Sequence, residues 1–242
     1  MSQPAPQSLP FAYGWWSFDL GEDRPCDGTY CYYPYDSLPP IPEAQFNGSL
    51  QWLEQAGEAD EPDMRLSPED EALPARLSAL TAAAQQVGLT LPQAFLTLMA
   101  SPALRDRIPS CTACYFDLSK KIVPCPGSEA GYLIRFLNDQ QDVLSWYLYL
   151  TTQGEHCVLV SPYQLDEAAE DEEGAEEREP LTEQQRRSII ANTLICAPSF
   201  EAFVYRFWLE NVLWFKLNGD ESALTGAERQ YLAHYQANAG EH

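Results

Sequence analysis

The sequence predicts an α+β fold, with a mainly antiparallel or mixed sheet packed against helices. Period-two runs of apolar residues between positions 113 and 160 indicate the sheet, and helix-period runs before and after them indicate the helices. The chain has 242 residues, 45% of them hydrophobic and 12% aromatic. That is enough apolar surface for a real core in one domain, with or without an appendage.

Residues 1–66 mix aromatic clusters (Trp15, Trp16, Phe18; Tyr30, Tyr32, Tyr33, Tyr35) with the turn formers Gly21, Asp27, Gly28 and Pro34. Such a pattern favours short strands joined by loops over a long helix. Pro39, Pro40 and Pro42 stiffen a connector, and Glu54 to Asp63 reads as an acidic surface loop. The expectation is a loop-rich segment packed on a main body that spans 67–217.

Ser67-Pro68-Glu69-Asp70 carries the signals of a helix start: a capping hydroxyl, a proline suited to the first turn and two acids that complement the dipole. Leu73, Leu77, Leu80, Ala84 and Val87 follow at spacings of three and four, with Pro74 able to delay the regular helix and Gly88 placed to end it. Pro92 opens a second, shorter helix through Phe95, Leu98 and Met99. Strand-like runs come next: 113–118, 131–137, 143–151 and 157–160. In the third, Leu144, Trp146, Leu148 and Leu150 fall on one face and Ser145, Tyr147 and Tyr149 on the other. The aromatics of this run could form a stacking platform, but alternating aromatics in a central strand are usually core on one face and helix-packing on the other.

Residues 166–179 hold few apolar side chains and dense negative charge, so burial cannot offset the entropy of ordering and a mobile acidic loop is expected. Thr182 with Gln185 makes a capping-box pattern, while Ile189 to Ile195 fits helix or strand. The strongest helix runs from Ser199 to Leu217. Phe200, Phe203, Val204, Phe207, Trp214 and Phe215 form one stripe, and Tyr205, Leu209, Val212 and Leu213 form a second. Thr225-Gly226-Ala227-Glu228 opens a last helix within a C-terminal stretch, 218–242.

Charge narrows the function. With 14 Lys and Arg against 36 Asp and Glu, the net charge is −22, which repels nucleic-acid phosphate and anionic lipid and attracts basic surfaces. Neither direct nucleic-acid binding nor membrane association is expected. The chain opens without a basic segment leading into an apolar run, and its seven cysteines are odd in number and irregularly spaced. Reduced thiols in the cytoplasm are the expectation.

No nucleophile elbow, phosphate-binding glycine loop, dinucleotide-binding turn or His-Glu-x-x-His pair occurs. Cys111-Thr112-Ala113-Cys114 is the sharpest chemical motif, but it supplies two of the roughly four ligands that zinc needs. Cys26 and Cys31 could complete a site only if the fold brought them close. A redox role would need a stabilised thiolate, and Asp117 nearby works against one. No metal or other cofactor is expected, and no catalytic residue is assigned.

Leu91-Pro92-x-x-Phe95, the runs Gly131–Asp139, Leu144–Leu150 and His156–Ser161, and Ser199-Phe200-Glu201-Ala202-Phe203 together resemble the SMI1/KNR4, or SUKH, superfamily over about residues 67–217. The resemblance implies a mixed sheet packed against helices and a non-catalytic protein-binding role, commonly that of an immunity protein that neutralises a toxin. Taken with the charge, it points to a basic protein partner met by Asp139, Asp142, Glu170, Asp171, Glu172 and Glu173. The alternatives are a regulatory or scaffold protein of the same fold, and an enzyme or metal or redox protein using carboxylates or Cys111 and Cys114.

Overall fold

The computed structural model describes residues 9–56, 72–128, 130–166, 181–219 and 223–238. Its fold is α+β: among these residues eight strands form one mixed sheet, with helices packed on it. The strands are β1 (Ala12–Ser17), β2 (Cys31–Pro34), β3 (Tyr115–Phe116), β4 (Val123–Pro124), β5 (Gly131–Asn138), β6 (Ser145–Thr151), β7 (His156–Ser161) and β8 (Leu194–Ala197). Their order is β2-β1-β8-β7-β6-β5-β3, and β4 also pairs with β5. Antiparallel pairing prevails, but β1 runs parallel to β8, with Ala12 opposite Leu194 and Tyr13 opposite Ile195. The aromatic N-terminal segment thus supplies two strands of the common sheet.

The alternation read in β6 divides the core. Trp146, Leu148 and Leu150 join Ile134, Phe136, Val158 and Val160 on one face. Tyr147 and Tyr149 join Leu133, Cys157, Leu159 and Ile195 on the other, closed by Phe11 and Ile190. Both faces are covered, which is why every residue of β6 is buried. Glycine at 131 is needed for this packing, because a Cβ there would lie 2.0 Å from Cε2 of Tyr149.

The helices are α1 (Gln51–Gln55), α2 (Leu73–Gln86), α3 (Gln93–Ala100), α4 (Pro102–Arg105), α5 (Glu183–Asn192), α6 (Phe200–Asn218) and α7 (Gly226–Asn238). The expected start at Ser67 to Asp70 lies outside the described residues; α2 begins at Leu73 with Pro74 in its first turn. The ambiguous stretch before residue 196 resolves into both states. The Thr182 capping box opens α5, and Leu194 begins β8 after Thr193 ends the helix.

Helix α6 is the second layer. Its first stripe packs Phe200, Phe203 and Phe207 against Phe136 and Trp146, with ring centroids 5.1 to 6.4 Å apart. Its other side holds Leu209 and Leu213 against Phe18, Leu20, Tyr231, Leu232 and Tyr235. A helix apolar on two sides is sandwiched between layers, here between the sheet and α7.

Two sequence expectations are corrected. Cys26 and Cys31 form a disulfide, so the cysteines are not all reduced thiols; a hairpin from Ser17 back to β2 brings the pair together, with Cys31 opposite Ser17. Asp166, expected in a mobile loop, is buried. Its carboxylate accepts from Arg135 Nε at 2.9 Å and from the Tyr147 hydroxyl at 3.3 Å, so a charged partner in the sheet holds it. The remainder of that loop, Glu170, Asp171, Glu172 and Glu173 included, lies outside the described residues.

Candidate functional site

Of the acidic residues expected to meet a partner, Asp139 and Asp142 fall in the β5–β6 turn, with different fates. Asp142 is exposed, in a left-handed conformation with φ of 56°. Asp139 is buried: one oxygen accepts from the Tyr30 hydroxyl at 2.6 Å and the other from the amides of Gln141 at 2.9 Å and Val143 at 3.4 Å. Its place on the binding surface is therefore corrected. A short acid at the head of a turn satisfies the turn's own amides, and here Tyr30 covers it.

The Cys111-Thr-Ala-Cys114 loop is fixed from several sides. Asn211 Oδ1 accepts from the Cys111 amide at 2.7 Å, and Ser110 Oγ accepts from the amides of Thr112 at 3.3 Å and Cys114 at 3.0 Å. Ala113 has φ of 54°, an uncommon conformation for a residue with a Cβ, held by those bonds. Burial pushes both thiols above their ordinary value; Cys114 adds to the rise at Cys111, and Asp139 to that at Cys114. Thiolate chemistry at neutral pH is therefore disfavoured. Among the described residues no three His, Cys, Asp or Glu side chains are placed to hold a metal ion.

The densest polar cluster lies between the sheet and α7. Glu210 of α6 is fully buried. Its Oε1 accepts from Arg24 Nη1 at 2.8 Å, from Tyr231 at 2.8 Å and from Tyr235 at 3.2 Å. Its Oε2 accepts from Trp15 Nε1 at 2.8 Å, Ser17 Oγ at 2.6 Å and Arg24 Nη2 at 3.0 Å. Burial alone would raise its pKa, but Arg24, Arg206 and these donors outweigh it and hold the carboxyl at about 2. One turn earlier on the helix, Arg206 donates to the Tyr231 hydroxyl at 2.8 Å and to the Pro39 carbonyl at 2.9 Å. The cluster thereby fixes β1, the Arg24 turn, the proline connector and α7 to one helix.

Above it an open cleft of about 520 Å³ runs between Pro39, Pro40 and Pro42 on one side and α6 and α7 on the other. Half-buried Tyr205 and Trp208 form a wall, with ring centroids 5.7 Å apart and Trp52 braced behind them at 4.9 and 5.4 Å. The Tyr231 ring lines the cleft while its hydroxyl is engaged with Glu210 and Arg206. Thr225, Glu228, Gln230 and His234 add polar edges. Glu228 caps α7 through the Thr225 amide at 2.7 Å and accepts from Lys216 at 2.8 and 2.9 Å. Rigid aromatic and proline walls with a polar edge suit an aliphatic or aromatic side chain, or the stem of a lysine or arginine.

Sequence reading placed Tyr205 and Tyr231 on helix faces without joining them, and it missed Arg206, Trp208 and Glu210. One signal was available. Arg206 and Glu210 stand four apart in a helix apolar on two sides, where a charge has to be paired.

No helix among the described residues is long and apolar enough to cross a membrane. Compared with known proteins, the chain matches no family model, no curated protein and no solved structure.

Proposed function

We propose that this chain is a non-catalytic protein-binding module for a basic partner, which its negative exterior attracts and which its aromatic and proline cleft anchors. The carrying observation is the separation of charge from core. Among the described residues five buried carboxylates stand against four buried guanidiniums, so the described core is close to charge-balanced, and the net −22 of the whole sequence supplies a negative field. Such a field accelerates encounter with a basic protein by roughly 10–1,000-fold, while affinity comes from a few desolvated anchors, commonly aromatic. Asp142 lies on this acidic exterior, and Glu170 to Glu173 belong to the same reading by sequence. A toxin is the partner that the SUKH-like pattern would imply.

The test is co-purification with the products of neighbouring genes, followed by binding kinetics on any captured protein. The partner should be basic, its association rate should fall steeply with salt, and Trp208→Ala should speed its release. Turnover of a small substrate with no protein captured, or binding that neither salt nor Trp208→Ala alters, would sink the proposal.

A further inference from the structure

Beyond the binding reading, we propose that the Cys26–Cys31 disulfide is a reducible latch that keeps Tyr30 in the core and the Cys114 thiol sealed beneath it. The disulfide closes a short loop in which Asp27, Gly28 and Thr29 are exposed, while Tyr30, next to Cys31, turns inward. The Tyr30 ring meets Trp146 edge-on at 6.4 Å, and its hydroxyl donates to buried Asp139 at 2.6 Å and lies 3.4 Å from Cys114 Sγ. Cys114 is 1% exposed and Cys111 beside it is half-buried, so Tyr30 is a plug over a Cys-x-x-Cys loop.

The loop has few other ties. The Cys26 amide donates to Asp19 at 3.2 Å, and Cys31 is held at the start of edge strand β2. Both bridged cysteines are half-buried, so the bond is within reach of a small dithiol or a dithiol protein. One thiolate of the reductant attacks a sulfur of the bridge, and the S–S bond breaks to leave a mixed disulfide and a thiolate that takes a proton. The second thiol of the reductant resolves the mixed disulfide. The protein gains two electrons and two protons as two thiols, and the reductant leaves as a disulfide. Without the crosslink the loop regains the freedom that closure removed, and Tyr30 opens more often.

The test is alkylation of the native, full-length protein with N-ethylmaleimide, read thiol by thiol by peptide mass spectrometry. The wild-type protein, purified without reductant, should hold Cys26 and Cys31 unreactive and Cys114 nearly so. In the Cys26→Ser/Cys31→Ser variant, Cys114 should react about tenfold faster or more, with the buried thiols of Cys157 and Cys196 unchanged. Tyr30→Ala with the disulfide intact should also speed Cys114, whereas Tyr30→Phe should keep it far slower than Tyr30→Ala. Three results overturn the proposal: free Cys26 and Cys31 in the wild-type protein, equal Cys114 rates with and without the bridge, or parallel acceleration of Cys157 and Cys196. The last would mean that the whole fold had loosened.

Discussion

Replacing Glu210 by Gln should destabilise the protein more than almost any other isosteric change, because it leaves a buried cation without its counter-charge. Glu210 accepts six hydrogen bonds, two of them from Arg24, and Arg206 adds to the positive field around it. The amide keeps the shape, but its NH2 group must face donors. Loss of one partner from a buried ion pair costs about 3–5 kcal/mol. At roughly 2–4 °C per kcal/mol for a domain of this size, Tm should fall by about 6–20 °C. The difference should also depend on pH. The folded carboxyl sits at about 2, below its ordinary 4.5. Its ionic contribution is therefore complete above about 4.5 and is lost as pH falls through about 2. Thermal and urea unfolding, followed by circular dichroism from pH 7 downward, measures both effects. Replacing Arg24 and Glu210 together by methionine should recover part of the loss, since an apolar pair removes both desolvation costs. A Glu210→Gln protein within about 1 kcal/mol of wild type at pH 7 would refute the account of this cluster as a dry, charge-balanced tie.

Asp139 and Asp142 should separate cleanly. Asp139→Ala removes the acceptor for Tyr30 and two turn amides, and should cost about 2–3 kcal/mol in urea unfolding; Asp142→Ala should leave stability alone and, if the turn faces the partner, slow association. Equal stability of the two variants would contradict the burial of Asp139. Gly131→Ala should cost about 1–3 kcal/mol, because the buried Tyr149 ring has to move for the added methyl. An unchanged urea midpoint would show that this ring is not fixed.

The central sheet was legible because its signals are local. The alternation of Leu144 to Leu150 gave both faces of β6, and Ser199 to Leu217 announced a sandwiched helix by its two stripes. What escaped depended on distant partners. Nothing near Ala12 to Ser17 says that this strand pairs with β8, about 180 residues later in the chain. Asp139 in Asn-Asp-Gln-Gln has the composition of an exposed turn, and only Tyr30, 109 residues away, turns it into a buried acceptor. The Cys26–Cys31 bridge was missed because spacing alone cannot distinguish two thiols on a loop from two across a tight hairpin. The cleft was out of reach for the same reason, since the proline connector, Trp208 and Tyr231 come from three separate stretches of the sequence.

The parallel pairing of β1 with β8 also sets when the protein can be finished on the ribosome. Trp15 is synthesised long before its neighbours Phe203 and Glu210, and the tyrosines that complete the Glu210 cluster come later still. A nascent chain halted before residue 194 has β2 to pair with one edge of β1 but no β8 for the other, so that edge of the tryptophan-bearing strand stays open until β8 is made. Contacts of such long sequence separation form slowly and leave a window for aggregation. C-terminally truncated chains should therefore accumulate as chaperone clients or proteolytic substrates, and release of α7 from the exit tunnel should mark the point at which the nascent protein becomes protease-resistant.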